Sequence, residues 1–572
     1  MSIDIETYRL KAQEAIEYVF VKEYHNSLGI PMPIVKMLLP DDANYSTGQY
    51  YITIDKTWQI HLNFGKLPIS YHEFQNKVKV LTRHEIEHYM CCPFDVITHF
   101  RMLKRIRDVY YKHFSHLGIN IEYACGAISN QAADIIVDTK NYYRHSKETL
   151  KSEIDWIKIG ANISACPRHC KLMFLTKEAI WKEDLGINET DPEFLKIVHQ
   201  LADSFTKNGI EDKSSFLDKV EEYAEIFFKL YVEDQKNPQQ SSQQGSQQQS
   251  GQQGPQQQSG QQGSQQQSGQ WGVGRPKDGD EHGNAFVFAD PDKVKEAIEV
   301  LAEETSVEEF IDLLAIAGII GMSDKQKGVL WFNVQSANII PIVEFSNTGN
   351  KSSYTYPSVW RIGDPIEELD LMLTYMTSPR LIPGMTTKKW GYVSNDDNGT
   401  ESKQMDLLLV VDTSGSMGSA MKESANMHQA VLASYGILSY FESTKSKVAF
   451  IGFSDKIDAY VDWSDKYDDV RERLLTNGHG GTKFPISRIK STLDVRSRDL
   501  VTVLITNGDL GNINESVSYF RDYLNDDNKL YIFLLGGSKS LHSYEPLKNI
   551  GAKIYNANNA NEFCDMVLTD ME

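Results

Sequence analysis

The chain has 572 residues and a formal net charge of −20, and this length allows roughly three or four domains of about 150 residues each. Because there is no basic excess to neutralise phosphates, the composition argues against nucleic-acid binding. No basic segment followed by an apolar core opens the sequence, and no apolar run is long enough to cross a membrane. With only six cysteines, we expect a cytoplasmic protein with reduced thiols.

A low-complexity tract divides the chain. Residues 238–270 contain only Gln, Ser, Gly and two Pro. Such a tract has no apolar side chains to bury, so it is expected to be a flexible tether with a root-mean-square span of roughly 30 Å. We therefore predict a first domain at 1–237, a disordered linker at 238–275, a helical or irregular connecting region at 276–403, and a last domain at 404–572.

The first domain carries a candidate zinc motif on a predicted helix. Residues 72–89 have apolar positions at helical spacing and contain the sequence HEIEH, which reads H-E-x-x-H. Residues four apart lie on one helix face, so His84 and His88 can offer two imidazoles to one zinc ion. Glu85 lies beside them and is able to deprotonate the attacking water.

A third ligand is expected downstream, because a catalytic zinc takes three protein ligands and leaves one position open. The stretch SNQAADIIVDTKNYY places Asp134 and Asp138 four residues apart on a predicted helix. This spacing resembles the E-x-x-x-D arrangement of gluzincin peptidases, with Asp in place of the ligand Glu. The resemblance implies that Asp134 binds zinc and that Asp138 orients a ligand histidine. Asn130 and His99 are the alternative third ligands.

The segments before the motif predict a β-hairpin, formed by residues 50–55 and 58–64. In zinc peptidases of the zincin class, a strand beside the site helix binds extended substrate. The hairpin and the H-E-x-x-H helix together resemble that arrangement. They imply a zincin-like α+β domain with Glu85 as the catalytic base.

A rival group of metal ligands lies in the sequence CPRHC, where Cys166, His169 and Cys170 are close together. The C-x-x-x-C spacing is within the range seen at zinc sites, but no second ligand pair is obvious. We therefore favour free thiols here.

The connecting region gives less definite patterns. Residues 293–320 have apolar positions at helical spacing and predict helical structure. Residues 328–345 fit either a helix or a strand, and 346–403 are polar and rich in loops.

From residue 404 the pattern changes to alternating strands and helices. Apolar runs typical of strands buried on both faces occur at 407–411, 448–453, 500–506, 530–536 and 553–557. A long helical segment, 419–444, follows the first of them. This alternation predicts a parallel, doubly wound, Rossmann-like sheet.

A candidate magnesium site follows the first of these strands. Asp412, Ser414 and Ser416 form the pattern D-x-S-x-S at the sheet edge where open α/β sheets bind ligands. Their oxygen atoms are hard ligands suited to Mg²⁺. The motif resembles the metal-ion-dependent adhesion site, or MIDAS, of von Willebrand factor A (vWA) domains. The resemblance covers 404–572 and implies that Thr482 is a further metal ligand.

The C-terminal sequence departs from the vWA pattern at one position. The family's T-D-G is replaced by Thr506-Asn507-Gly508. Asn507 brings no charge, so the resemblance implies weaker cation binding, for which Asp509 is placed to compensate. In the family the cation leaves one position open for a partner's acidic side chain, which implies a binding module.

The order of the two motifs resembles a prokaryotic family of predicted metallopeptidases with an H-E-x-x-H domain and a C-terminal vWA domain. Members are associated with MoxR-type AAA+ ATPases, and some with bacterial stress or phage-defence systems. The resemblance implies hydrolysis of peptide bonds in a protein substrate, with Zn²⁺ in the first domain and Mg²⁺ in the last. The alternative is a non-catalytic, zinc-binding vWA adaptor or scaffold for an AAA+ ATPase. The Gln-rich tether departs from the family pattern.

Overall fold

The computed structural model describes the elements of both predicted domains. The described residues are 5–38, 50–54, 59–64, 70–159, 163–236, 291–319, 322–337, 358–359, 369–370, 388–389, 405–496, 499–508, 510, 512–526, 528–536 and 541–557. The predicted linker at 238–275, Asp509 and Cys564 lie outside them. The described chain divides into two compact units, one made of residues up to 301 with 312–319, the other of 302–311 with residues from 322 onward.

The N-terminal unit is mostly helical. Its helices are α1 (Ile5–Glu17), α2 (Tyr71–Met90), α3 (Val96–Val109), α4 (Ile121–Ile159), α5 (Arg168–Trp181), α6 (Pro192–Thr206) and α7 (Phe216–Lys236), with a π-helical segment at Tyr18–Glu23. A three-stranded sheet has the order β1 (Ile34–Met37), β3 (Gln59–Phe64), β2 (Tyr50–Ile54). Strands β2 and β3 form the predicted antiparallel hairpin. Strand β1 pairs parallel to β3 and extends this hairpin to three strands.

Helix α2 begins and ends within one residue of the predicted 72–89. Ser70 caps its first turn, since its hydroxyl oxygen accepts a hydrogen bond from Glu73 N at 3.2 Å. Phe74, Val78 and Ile86 are fully buried and pack in one core cluster with α1. This apolar face fixes the rotation of α2, and with it the direction of the histidines.

The stretch with helical spacing at 293–320 forms two helices. They are α8 (Pro291–Glu304) and α9 (Val307–Ile316), so the expected helical structure is confirmed as far as residue 316. Ser306 and Glu309 form a reciprocal cap: the Ser306 hydroxyl accepts from Glu309 N at 3.3 Å, and the Glu309 carboxylate accepts from Ser306 N at 3.2 Å. This capping box starts a new helix. The undecided stretch from 328 is helical as far as the structure describes it, in α10 (Asp324–Ala337).

The C-terminal unit is built on a six-stranded sheet. Its strands are β7 (Asp406–Asp412), β8 (Val448–Phe453), β9 (Ile457–Ser464), β10 (Leu500–Thr506), β11 (Lys529–Leu535) and β12 (Lys553–Ala557), after the two-residue strands β4 (Ser358–Val359), β5 (Leu369–Asp370) and β6 (Lys388–Lys389). The order is β12-β11-β10-β7-β8-β9. Five strands are parallel as predicted, but β9 is antiparallel, so the sheet is mixed and the prediction of a wholly parallel sheet is wrong.

Helices alternate with these strands. They are α11 (Asn426–Ser443), α12 (Tyr467–Leu474), α13 (Ile486–Leu493), α14 (Val517–Asn525) and α15 (Leu541–Lys548). Strand β7 is buried along its whole length. Helix α11 begins seven residues later than the predicted 419, because a short 3₁₀ turn and hydrogen-bonded turns precede it. Gly418, with a φ of 77°, redirects the chain there.

None of the helices in the described ranges combines the length and apolar character that a membrane crossing requires.

His428 joins two helices of the C-terminal unit. Its ring lies 5.4 and 5.2 Å from the ring centroids of Trp331 and Phe332 on α10. Its Nδ1 donates to the carbonyl oxygen of Ala420 at 2.8 Å. Burial lowers the pKa of His428 below its ordinary 6.5, although the Ala420 carbonyl and Glu423 oppose this shift. The imidazole is therefore held in its neutral form.

A pH dependence of stability follows from His428. Its pKa is lower in the folded unit than in the unfolded chain, so above pH 6.5 both states are neutral and no penalty arises. As the pH falls below 6.5, the unfolded chain binds a proton first and the free energy of unfolding decreases. We expect His428→Gln to reduce this slope in urea unfolding measured between pH 7.5 and 5.5. The exposed His542 provides the control, and an equal reduction in His542→Gln would contradict the assignment.

Candidate metal sites

Helices α2 and α4 bring three metal-ligand side chains to one point. The Nε2 atoms of His84 and His88 are 3.1 Å apart. The Oδ1 atom of Asp134 lies 3.2 Å from Nε2 of His88 and 3.5 Å from Nε2 of His84. In a tetrahedral zinc site with bonds of 2.0–2.1 Å, neighbouring ligand atoms are about 3.3 Å apart. The three side chains therefore fit a single metal ion, and this His, His, Asp group could hold one.

The hydrogen bonds of the two Nδ1 atoms determine the tautomer of each histidine. Nδ1 of His84 lies 2.7 Å from Oδ1 of Asp138, and Nδ1 of His88 lies 2.9 Å from the carbonyl oxygen of Cys92. Both partners are acceptors, so each Nδ1 carries the proton and donates it. In the neutral rings the Nε2 lone pairs are then available for a metal.

Asp134 is held with one oxygen directed at the histidines. Its carboxylate is buried, and Oδ2 accepts a hydrogen bond from Nδ2 of Asn130 at 3.1 Å. Oδ1 receives no well-aligned hydrogen bond from any described residue. An unsatisfied buried carboxylate oxygen is costly unless a cation binds it. Asp134 is thus prepared to bind a metal through one oxygen.

The carboxylates around His84 attract positive charge to the same point. Burial opposes protonation of His84, but Asp138, Asp134 and Glu85 outweigh it and raise its pKa to about 10. The same pairing, with Lys177, lowers the pKa of Asp138 below its usual range despite its burial. The cluster is therefore ready to exchange a proton for a metal cation.

The alternative ligands occupy other positions. Asn130 bonds to the far oxygen of Asp134, as described above. His99 is buried, but it is not part of the metal-ligand group formed by the described residues. His169 is directed to Asp234, with Nδ1 2.9 Å from Oδ2, and no metal group is found among the described residues at CPRHC. Cys166 and Cys170 are half-buried and form no disulfide within the described chain.

Glu87, the second glutamate of HEIEH, was given no role in the sequence analysis. It is fully buried and receives hydrogen bonds from Tyr24 and Arg144, both at 2.9 Å. Lys140 Nζ lies 2.8 Å from its other oxygen. These contacts join α2 to α4 and so position the two histidines relative to Asp134. The one available signal was a basic pair four residues apart, Lys140 and Arg144, on the partner helix.

Lys177 was also missed. It is buried on α5 and contacts Asp138, with Nζ 2.9 Å from Oδ2. A single lysine inside the apolar run LMFLTKEAI was the only sequence signal for it.

The C-terminal unit brings together hydroxyl and carboxylate oxygens after β7. The hydroxyl oxygens of Ser414 and Ser416 are 3.0 Å apart. Adjacent ligands of an octahedral Mg²⁺ with bonds of 2.0–2.1 Å are about 2.9 Å apart, so the two serines fit such an ion. The buried Asp412 carboxylate accepts from Ser414 N at 2.9 Å and from the Thr506 hydroxyl at 2.7 Å.

Asn507 closes this group from the neighbouring strand. Its Oδ1 accepts from the Ser416 hydroxyl at 3.1 Å, and its Nδ2 donates to the Ser416 carbonyl at 2.8 Å. The amide thus makes a bond that a carboxylate could not make. The loop that contains Thr482 is joined to the serine loop by a hydrogen bond of 3.4 Å from Gly415 N to the Gly480 carbonyl.

No protein-family model and no curated protein matches this chain. Function is therefore inferred from the side chains themselves, namely the His, His, Asp group on α2 and α4 and the serine and carboxylate group after β7.

The third ligand can be tested by metal content. We expect Asp134→Ala to lose bound zinc, from about one equivalent to near zero, because two imidazoles alone leave the site with too few ligands. His99→Gln should retain the zinc. The measurement is elemental analysis of the purified full-length chain after dialysis against metal-free buffer. Zinc retained in Asp134→Ala but lost in His99→Gln would reverse the assignment.

The Asn507 amide can be tested by exchanging it for a carboxylate. We expect Asn507→Asp to lose the bond to the Ser416 carbonyl, at a cost of about 1 kcal/mol, or about 2–4 °C in Tm, without Mg²⁺. With Mg²⁺ the added charge should raise cation affinity and restore Tm.

The matched control for this exchange is Asn512→Asp. Asn512 makes a comparable pair of bonds: its Oδ1 accepts from the backbone N of Phe484 at 2.9 Å, and its Nδ2 donates to the Phe484 carbonyl at 3.0 Å. It should lower Tm without any dependence on Mg²⁺. An identical response of the two variants to Mg²⁺ would rule out a cation beside Asn507.

Proposed function

We propose that the protein is a zinc-dependent metallopeptidase that hydrolyses peptide bonds of a protein substrate. The observation that supports this best is the convergence of His84, His88 and Asp134 at distances of 3.1–3.5 Å, with both histidine tautomers fixed for binding. Three protein ligands leave a fourth position for water or substrate, which is the arrangement of catalytic rather than structural zinc sites.

Each side chain of the motif has a role in this mechanism. His84, His88 and Asp134 would hold Zn²⁺, and the bound ion would supply the Lewis acidity that polarises the scissile carbonyl. Glu85 accepts the proton of the attacking water and passes it to the leaving amine. Glu85 is half-buried and lies next to His84, whereas Glu87 is fully buried and held by three partners. Because Glu87 joins α2 to α4, the proton-transfer role is assigned to Glu85, the glutamate that follows His84 in H-E-x-x-H.

The C-terminal unit is proposed to be a vWA-type binding module. Its cation would be Mg²⁺, held by Ser414, Ser416 and Thr482, with Asp412 stabilising the site and an acidic side chain of the partner completing it. The hydroxyl spacing of 3.0 Å and the strand order around β7 support this proposal. By resemblance, the proposed partner is a MoxR-type AAA+ ATPase in a cytoplasmic stress or phage-defence system.

The peptidase proposal is tested with Glu85→Gln. We expect this variant to keep its zinc but to cleave a mixed peptide library at least about 100-fold more slowly, because general base catalysis typically contributes that much or more. Glu73→Gln, the same change at a half-buried position in the first turn of the same helix, should cleave at the wild-type rate. Cleavage products are quantified by mass spectrometry, with and without the candidate ATPase.

Two outcomes would reject the enzymatic proposal. A wild-type chain that carries no zinc would remove its chemical basis. A chain that binds zinc but cleaves no peptide, alone or with the ATPase, would instead favour the zinc-binding adaptor.

A further inference from the structure

Lys177 is an unusual residue of the N-terminal unit because its ammonium group is buried. The side chain is 1% exposed. Its Nζ contacts two carboxylates, Asp138 Oδ2 at 2.9 Å and Oε1 of Glu153. Taking a charge out of water is costly unless its partners are well placed, so these two contacts are what make a lysine tolerable at this position.

The two carboxylates come from distant parts of one helix. Asp138 and Glu153 are fifteen residues apart in α4, and on a straight helix they would be separated by about 22 Å along the axis. Both nevertheless contact the same Nζ atom. The backbone of α4 is non-helical at His145, with φ −137° and ψ 48°. The helix therefore bends back there, and Lys177 joins its first arm, before His145, to its second arm, after it.

Asp138 stands between Lys177 and the metal-ligand group. One of its oxygens accepts from Nδ1 of His84 at 2.7 Å, and the other accepts from Lys177. With a partner on each oxygen, the carboxylate has no freedom to rotate without losing a bond. Lys177, which contacts the oxygen that does not bond to His84, therefore helps to determine the orientation of Asp138.

We propose that Lys177 is a positioning residue of the metal site, whose ammonium group holds Asp138 so that Asp138 fixes the plane and tautomer of His84. This inference rests on the proposed function, because it assumes that His84 binds the metal. Without Lys177, the carboxylates of the buried Asp138 and the half-buried Glu153 would lose the cation that lies between them. Asp138 would then rotate towards solvent or take a proton, and Nδ1 of His84 would lose its acceptor.

The experiment uses a charge-balanced variant, because Lys177→Met alone leaves an uncompensated pair of carboxylates and threatens folding. We compare the full-length wild type with Glu153→Gln and with the double variant Lys177→Met/Glu153→Gln. Each metal-free protein is titrated with Co²⁺ in competition with a chromophoric chelator. The visible absorption of bound Co²⁺ reports the ligand geometry independently of any peptidase activity.

The expected result separates positioning from stability. We expect Glu153→Gln to bind Co²⁺ within about twofold of wild type, since Lys177 still holds Asp138. The double variant should bind Co²⁺ about tenfold more weakly and give an altered Co²⁺ spectrum. A tenfold loss is at the lower end of the decrease in metal affinity that follows removal of a residue supporting a metal ligand. Lys171→Met/Glu189→Gln removes another ion pair whose buried lysine lies on the same helix, with Nζ 2.8 Å from the carboxylate, and should leave both readouts unchanged.

Each of the other outcomes contradicts either the positioning role of Lys177 or the proposed function. If the double variant binds Co²⁺ as wild type does, Lys177 only stabilises the bent helix and the inference is wrong. An equal loss in the Lys171→Met/Glu189→Gln control would mean that general destabilisation, not positioning, weakens binding. A wild type that binds neither Co²⁺ nor Zn²⁺ would overturn the proposed function, and the inference with it.

Discussion

The chemistry of the N-terminal unit depends on the hydrogen bond between His84 Nδ1 and Asp138 Oδ1. It sets which nitrogen of His84 carries the proton, and so which nitrogen faces His88 and Asp134. A distance of 2.7 Å is typical of a hydrogen bond to an ionised acceptor. The surrounding structure supplies that condition through the lysine on α5 and through the bend of α4. The ligand side chains thus come from two helices, α2 and α4, and their arrangement depends on a third helix, α5.

The sequence predicts those parts of the site that depend on local spacing. His84, Glu85 and His88 follow from the period of a helix, and α2 begins and ends within one residue of expectation. Asp134 and Asp138 follow from the same period, with a family resemblance to give them roles. The contacts between these groups were beyond this reasoning, because 54 positions separate His84 from Asp138. Only the packing of α2 on α4 brings them together.

The features that the sequence does not predict have equally physical causes. Helical periodicity continues through Ser306, so the break between α8 and α9 is visible only in the capping box that Ser306 and Glu309 form. Strand β9 is half-exposed at the sheet edge, so it lacks the continuous apolar run by which the buried strands were found. No proline or glycine near His145 indicates the bend in the sequence. The bend is stabilised by ion pairs to Lys177 from both arms of α4.

The bend in α4 also gives the N-terminal unit a way to report on its ligand through backbone dynamics. When residues 146–159 open as a whole, Glu153 leaves Lys177 and water reaches the buried ammonium group, so the lysine is free to leave Asp138 as well and the hold on His84 loosens. By thermodynamic linkage, anything that binds the closed form of the histidines makes this opening rarer. Amide hydrogen exchange along the second arm of α4 is set by such local opening. Hydrogen exchange in residues 146–159 is therefore expected to become slower when an ion binds at His84, His88 and Asp134, although none of these amides contacts the ion.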